Sequence, residues 1–107
     1  MILAKFFLLE KKLVGFEISG HSGYAEQGSD IVCASVSSCA YMVANTVTEI
    51  YHVKSDIEFD KGFLSFSVPL SDAELLQPLF EGFRLHLKSL AEEYKGFLKV
   101  NNVSIKK

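Results

Sequence analysis

Apolar and polar residues alternate near the start of the chain in a way that predicts two β-strands. Residues 2–9 are mostly apolar, and in residues 13–19 the apolar Val14, Phe16 and Ile18 alternate with small or charged residues. A period of two is typical of a strand with one buried face. A polar Glu-Lys-Lys turn separates the two runs, so we expect a β-hairpin.

The spacing of apolar residues changes after residue 30 and predicts a helix over residues 31–52. Apolar residues now recur three or four positions apart, as they do on one face of a helix: Val32, Val36, Cys39, Ala40, Val43, Val47 and Ile50. Asp30 or Ser29 is the expected N-cap, because their side-chain oxygens accept hydrogen bonds from the free amides of a first turn.

Another strand pair is expected at residues 54–59 and 63–68, joined by the turn Asp-Lys-Gly. The glycine stands where such a turn needs a positive φ.

A second helix follows this hairpin. The segment from Ser71 to Glu74 reads as a capping box, and Pro78 leaves two alternatives open. Either the helix begins near Ser71 and bends, or its regular part begins at Pro78. The expected buried face consists of Leu79, Phe83, Leu87, Leu90 and Tyr94. Gly96 is a suitable stop, and residues 97–103 alternate as a last strand.

The predicted order is β-β-α-β-β-α-β, which is typical of an α+β fold. We expect a five-stranded, largely antiparallel sheet with two helices packed on one face. No repeat, linker or low-complexity segment interrupts the chain, so residues 1–107 are predicted to form a single domain. Spare Phe and Leu residues predict a homodimer contact, on the open face of the sheet or along a helix.

Composition narrows the classes of function. Apolar residues make up 49% of the 107 residues, and the formal net charge is −2 with charges well mixed along the chain. Nucleic-acid binding is not expected, because it needs clustered Lys and Arg. No apolar run approaches the roughly 18–20 residues that cross a bilayer, and the N-terminus lacks the features of a signal peptide. A cytoplasmic protein is expected, and its two cysteines make no disulfide framework.

His21 and Cys33 are the candidate catalytic pair. The predicted elements place His21 at the end of a strand and Cys33 in the first turn of a helix. A thiol there is expected to have a lowered pKa, because the helix dipole and the unpaired amides stabilise its anion. The same amides are expected to hold an oxyanion, and His21 would act as base and acid.

The segment between these residues contains Gly20, Gly23 and Gly28, and composition leaves two interpretations in balance. It is either a loop that moves to admit a peptide or an ordinary strand-to-helix connection. Other residues keep alternatives too. Asp30 either caps the helix alone or also orients His21. Ser37 either bonds towards the site or back to a carbonyl one turn earlier.

The remaining chemistry-bearing residues favour structural roles. Cys39 lies on the apolar stripe and faces away from Cys33, as an inert buried thiol. The other histidines, His52 and His86, show no metal-ligand spacing, so neither metal nor cofactor is expected. Five phenylalanines are expected mainly in the core, with an aromatic substrate pocket as the alternative: Phe6, Phe7, Phe59, Phe63 and Phe66.

Two motifs resemble those of the bacterial ribosomal-processing cysteine proteases. They are Gly-His-Ser-Gly-Tyr at residues 20–24 and Gly-Ser-Asp-Ile-Val-Cys-Ala at residues 28–34, followed by Val-Ser at 36–37. The resemblance also covers the length of the chain and its element order. Ser35 stands where the family often has a small apolar residue.

The resemblance implies an endopeptidase that removes a short apolar, Phe-containing N-terminal extension from large-subunit ribosomal protein twenty-seven. It implies Cys33 as nucleophile, His21 as general acid and base, and Asp30 and Ser37 as supporting residues. It also implies a homodimer, a glycine-rich loop that gates access, and no metal. The alternatives are a non-catalytic ribosome-assembly module and a redox-sensing thiol protein.

Overall fold

A single five-stranded sheet organises the computed structural model, which describes residues 1–26 and 30–105. The strands are β1 (Ile2–Leu9), β2 (Lys12–Ser19), β3 (Asp56–Asp60), β4 (Phe63–Ser67) and β5 (Leu98–Ser104). Their spatial order is β3-β4-β2-β1-β5. Every neighbouring pair is antiparallel except β1 with β5, which is parallel. The predicted α+β fold with a largely antiparallel sheet is confirmed.

Two helices pack with the sheet around one continuous core. They are α1 (Ile31–Asn45), which a π turn at Thr46–Ile50 extends, and α2 (Leu70–Glu93). At the centre of the core Phe16 contacts the rings of Phe6, Phe66 and Phe83. Its ring centroid is 4.8 Å from that of Phe83 and 5.4 Å from that of Phe66. Burial of such side chains stabilises the fold by roughly 1.5–3 kcal/mol each.

The apolar face of α1 agrees with the predicted spacing as far as Val47. Ile50 was predicted to be buried, but it is 71% exposed. In the π turn the amide of Tyr51 donates to the carbonyl of Thr46, 3.0 Å away and five residues back. A π turn holds more residues than an α-helical turn. Ile50, three residues after the buried Val47, therefore does not return to the buried face.

The start of α2 differs from the predicted capping box. The helix begins at Leu70 with Pro69 as N-cap, and no side chain caps it. It runs without interruption through Pro78, so of the two alternatives the early start is confirmed. The buried residues Leu76 and Phe80 lie outside the predicted apolar face. Gly96, with φ of +88°, follows the helix end as predicted.

The side chain of Gln77, next to Pro78, bonds α2 to β2. Its side-chain amide donates to the carbonyls of Ala73 (2.8 Å) and Leu13 (2.7 Å), and its oxygen accepts from the amide of Leu13 (3.0 Å). These bonds attach the helix to β2 directly before the residue that lacks an amide donor.

The expectation that no apolar run is long enough to cross a bilayer was wrong. By length and composition alone, the 20-residue helical run Ile31–Ile50 could cross a membrane. In this fold its residues Val32, Val36, Ala40 and Val43 are buried against the rest of the core. A core helix passes the same test of composition as a spanning helix.

Candidate active site

Cys33 lies in the first turn of α1 and borders an open cavity. The helix begins at Ile31, so the half-buried Cys33 is its third residue. The cavity has a volume of about 720 Å³, and His21 and Ser37 also line it. The structure therefore brings the two predicted catalytic side chains to one cavity from different elements.

Asp30 is the N-cap of α1, as predicted. Its Oδ1 accepts hydrogen bonds from the amides of Val32 and Cys33, each 3.0 Å long. Its Oδ2 accepts a hydrogen bond from the hydroxyl of Ser22. The bond from Ser22, followed by those from Cys33 and Val32, lowers the pKa of Asp30 from 3.8 to about 2. The other expected cap, Ser29, lies outside the described residues.

Three amides at the start of α1, which the sequence was expected to leave free for an oxyanion, are bonded to Asp30. Those of Val32 and Cys33 donate to the Asp30 carboxylate, and that of Ala34 donates to the Asp30 carbonyl at 3.0 Å. An N-cap carboxylate satisfies the donors that a free helix end would present.

Ser22 is a site residue that sequence reasoning missed. It is 3% exposed, and its hydroxyl both donates to Asp30 and accepts from the amide of Tyr24, 3.0 Å away. Its own amide donates to Cys33 Sγ over 3.4 Å. In the sequence Ser22 was noted only as part of the Gly-His-Ser-Gly-Tyr motif at residues 20–24, with no role assigned to it.

His21 follows β2 and lies against the turn between β3 and β4. The amide of Gly20 donates to the carbonyl of Gly62 over 3.0 Å, which joins the two segments. A β-carbon placed on Gly62 would lie only 3.1 Å from His21 Nε2. Glycine at this position therefore makes room for the imidazole.

Aromatic side chains form one wall of the cavity. Phe63 is half-buried, and Phe59 and Tyr41 are largely exposed, with ring centroids 6.0 Å apart. Phe6 and Phe66, by contrast, are fully buried in the core. The expected place in the core is confirmed for Phe6 and Phe66, Phe7 packs against the core, and Phe59 and Phe63 line the cavity.

The other predicted residues of the loop have distinct surroundings. Gly20 and Gly23 line the cavity with φ of +87° and +73°, in the left-handed region that favours glycine. Gly28 lies outside the described residues. The ring of Tyr24 packs edge-on against Tyr94 and Phe97, with centroids 5.5 and 5.1 Å away.

The remaining candidate residues differ in how exposed they are. Ser37 is exposed at the cavity. Ser35, two residues earlier, donates its hydroxyl to the Ile31 carbonyl at 2.7 Å. Cys39 is half-buried against the core, and this burial raises its pKa. His52 and His86 are exposed.

The chain matches the family model described as cysteine protease Prp over residues 1–99. It belongs to this family. The ribosomal processing cysteine protease Prp of Bacillus subtilis is 34% identical over 97 residues, which cover 85% of this chain and 87% of that protein. The Prp of Staphylococcus aureus strain Mu50 is 26% identical over 94 residues, covering 86% and 89%.

Solved Prp structures have the same fold. A crystal structure of the ribosomal processing protease Prp from S. aureus, with a covalently linked product peptide, superposes with a TM-score of 0.88. The identity is 23%, and the match covers 96% of this chain and all of that one. SMU.848 from Streptococcus mutans is 30% identical with a TM-score of 0.82, covering 98% and 96%. As a Prp family member, the chain is a cysteine protease of the ribosomal processing type.

Proposed function

We propose that this protein removes a short apolar, Phe-containing N-terminal extension from a large-subunit ribosomal protein, with Cys33 as nucleophile and His21 as general acid and base. The observation that carries the proposal is that both side chains line one cavity with an aromatic wall, in a chain of the Prp family. The relatives are ribosomal processing cysteine proteases, and this supports the substrate class. Because such a substrate is made in the cytoplasm, we place the reaction there.

The reaction begins with attack of the Cys33 thiolate on the carbonyl carbon of the scissile bond. A C–S bond forms, and the carbonyl electrons move to oxygen. When this intermediate collapses, the C–N bond breaks and protonated His21 gives its proton to the leaving amine. The peptide fragment remains on Cys33 as a thioester.

Hydrolysis of the thioester completes the cycle. Neutral His21 takes a proton from a water molecule, whose oxygen attacks the thioester carbonyl. The C–S bond then breaks, the acid product leaves, and Cys33 returns to the thiolate with His21 protonated. Asp30 supports this chemistry by fixing the helix end that carries Cys33, and Ser37 borders the same cavity.

The aromatic wall supports an apolar substrate. Phe59 and Tyr41 keep a large exposed fraction beside the reacting residues, and apolar rings in a cleft bind apolar side chains. We also propose a homodimer formed through exposed apolar residues of α1, its π turn and β3 that do not line the cavity. They are Met42, Ile50 and Ile57.

The test is cleavage of a synthetic peptide that spans an apolar extension ending in Phe and the residues after it. We expect the wild-type protein to cleave it once, and Cys33→Ala and His21→Ala to lose activity by at least about a hundredfold. Cys39→Ala and His86→Ala are the matched controls and should remain active. Mass spectrometry of the products locates the cut.

Two outcomes would contradict the proposal. Absence of cleavage by the wild-type protein contradicts the assigned substrate, and full activity of Cys33→Ala contradicts the mechanism. Reversible oxidation of Cys33 by mild peroxide in a protein that cleaves no peptide would instead favour the redox-sensing alternative.

A further inference from the structure

The amide of Ser22 points at the sulfur of the proposed nucleophile. Its nitrogen lies 3.4 Å from Cys33 Sγ, with the geometry of an N–H···S hydrogen bond. The amides of Val32, Cys33 and Ala34 in the first turn of α1 are all bonded to Asp30. The amide of Ser22 is thus a donor to Cys33 from outside this turn.

We propose that the backbone N–H of Ser22 stabilises the Cys33 thiolate, and that the Ser22 hydroxyl holds this amide in place. The inference deepens the proposed function and rests on it for its catalytic meaning. The amide contacts the reacting atom directly, whereas the side chain is a positioning group that acts through it.

The hydroxyl of Ser22 is held from two sides. It donates to Asp30 Oδ2 and accepts from the amide of Tyr24 at 3.0 Å, so its donor and acceptor roles are both assigned. Asp30 Oδ1 meanwhile accepts from the amide of Cys33. One carboxylate thus holds both the residue that donates to the sulfur and the residue that carries the sulfur.

Charge on the sulfur determines when this bond matters. A hydrogen bond to an ionised acceptor is about twice as strong as one to a neutral group, so the amide favours the thiolate over the thiol. As the thiolate attacks, negative charge moves from sulfur to the carbonyl oxygen. When the thioester is hydrolysed the charge returns to sulfur, and the same bond stabilises the leaving thiolate.

The direct test replaces the amide of residue 22 with an ester. A synthetic segment of residues 1–32, carrying the hydroxy-acid analogue of serine at position 22, is ligated to residues 33–107 at Cys33. The ester removes the N–H and keeps the hydroxymethyl side chain. A Cys39→Ala background leaves Cys33 as the single thiol, and the amide chain made the same way is the control.

The readout is the rate of iodoacetamide alkylation of Cys33 against pH, which requires no substrate. We expect the ester to move the pH profile upward and to slow alkylation at pH 7 by about tenfold, the effect of losing one hydrogen bond to a charged group. If the ester protein has a native circular dichroism spectrum and the same pH profile of alkylation as the amide control, the proposal is overturned. The change leaves in place the other titratable groups that line the cavity: His21, Asp30, Tyr41, Asp60 and Lys61.

A genetic test addresses the hydroxyl. Ser22→Ala should slow both alkylation and peptide cleavage, and Ser22→Thr should restore part of the rate because it keeps a hydroxyl. Ser35→Ala is the matched control, since its hydroxyl bonds only within α1. Equal rates in Ser22→Ala and the wild-type protein would refute the positioning role.

The two proposals fail separately. A wild-type protein that cleaves no peptide but shows the expected shift with the ester contradicts the proposed function and supports the bond to sulfur. If the wild-type protein cleaves the peptide but the ester protein is alkylated at an unchanged rate, the proposed function is supported and the bond to sulfur is contradicted.

Discussion

Asp30 connects the loop after β2 with the start of α1 through one carboxylate. It accepts from Ser22 in the loop after β2 and from Val32 and Cys33 in α1. Sequence allowed the capping role and left open whether Asp30 also orients His21. In the structure the loop residue bonded to Asp30 is Ser22, which directly follows His21.

The lowered pKa of Asp30 predicts how stability depends on pH. Because the carboxyl has a pKa of about 2 in the folded protein and its ordinary 3.8 when unfolded, its bonds stabilise the fold fully above pH 4. This contribution is lost as pH falls towards 2. Asp30→Asn keeps a capping oxygen but does not titrate.

Thermal unfolding of the wild-type protein and Asp30→Asn, measured from pH 7 to pH 2, checks this expectation. The advantage of the wild-type protein should shrink between pH 4 and pH 2. Asp72→Asn, in the first turn of α2 outside the site, is the control for a general effect of removing one carboxylate. A constant difference across the range would contradict the prediction.

The two cysteines should react differently with alkylating reagents. Cys39 packs against the core and burial raises its pKa, which keeps it protonated near neutral pH. The thiolate is the reactive form, so we expect iodoacetamide at pH 7 to modify Cys33 first. Mass spectrometry of Cys33→Ala and Cys39→Ala assigns each rate. Faster labelling of Cys39 would contradict the picture of an inert structural thiol.

At the scale of elements, the turn between β3 and β4 positions the proposed acid and base. Antiparallel pairing of β2 with β4 brings Ser19 opposite Phe63, and the bond between Gly20 and Gly62 continues this pairing beyond the strands. Gly62 provides the space that the ring of His21 occupies. The turn residues were predictable from sequence, but their contact with His21 depends on strand order.

Gly62→Ala should therefore reduce activity more than its effect on stability would suggest. Position 62 has φ of +73°, so alanine is strained there by roughly 1–2 kcal/mol. Its β-carbon would also lie 3.1 Å from His21 Nε2 and displace the imidazole. We expect a fall in kcat/KM of at least about tenfold, measured on the peptide substrate.

Gly96→Ala is the matched control for this prediction. Position 96 has φ of +88°, and a β-carbon there meets no atom within 4 Å. It imposes the same backbone strain far from the cavity. Equal activity of the two variants would show that crowding of His21 has no effect.

At the scale of the whole molecule, the exposed apolar residues are unevenly placed. Sequence predicted a dimer contact on the open face of the sheet or along a helix. The large apolar side chains exposed on α1, its π turn and β3 favour the second option. Ile50 reaches this surface because the π turn rotates it out of the core.

Ile50→Glu should dissociate the proposed homodimer, because a charge would be buried without a partner in the contact. Leu85→Glu on α2 is the matched control, as the two side chains are similarly exposed at 71% and 67%. Light scattering after size-exclusion chromatography measures the mass of each variant. A monomeric wild-type protein, or a dimeric Ile50→Glu, would contradict this interface.

The sequence by itself determined the elements and their order, and it singled out His21 and Cys33 as candidate catalytic residues. These depend on local patterns: apolar periodicity, the cap at Asp30 and the place of Cys33 at a helix start. The π turn after α1 and the start of α2 without a side-chain cap departed from such patterns. The tertiary structure alone decided which groups meet. Ser22 reaches Sγ, and Gly62 adjoins His21, because the fold brings together residues whose separation along the chain carries no signal of contact.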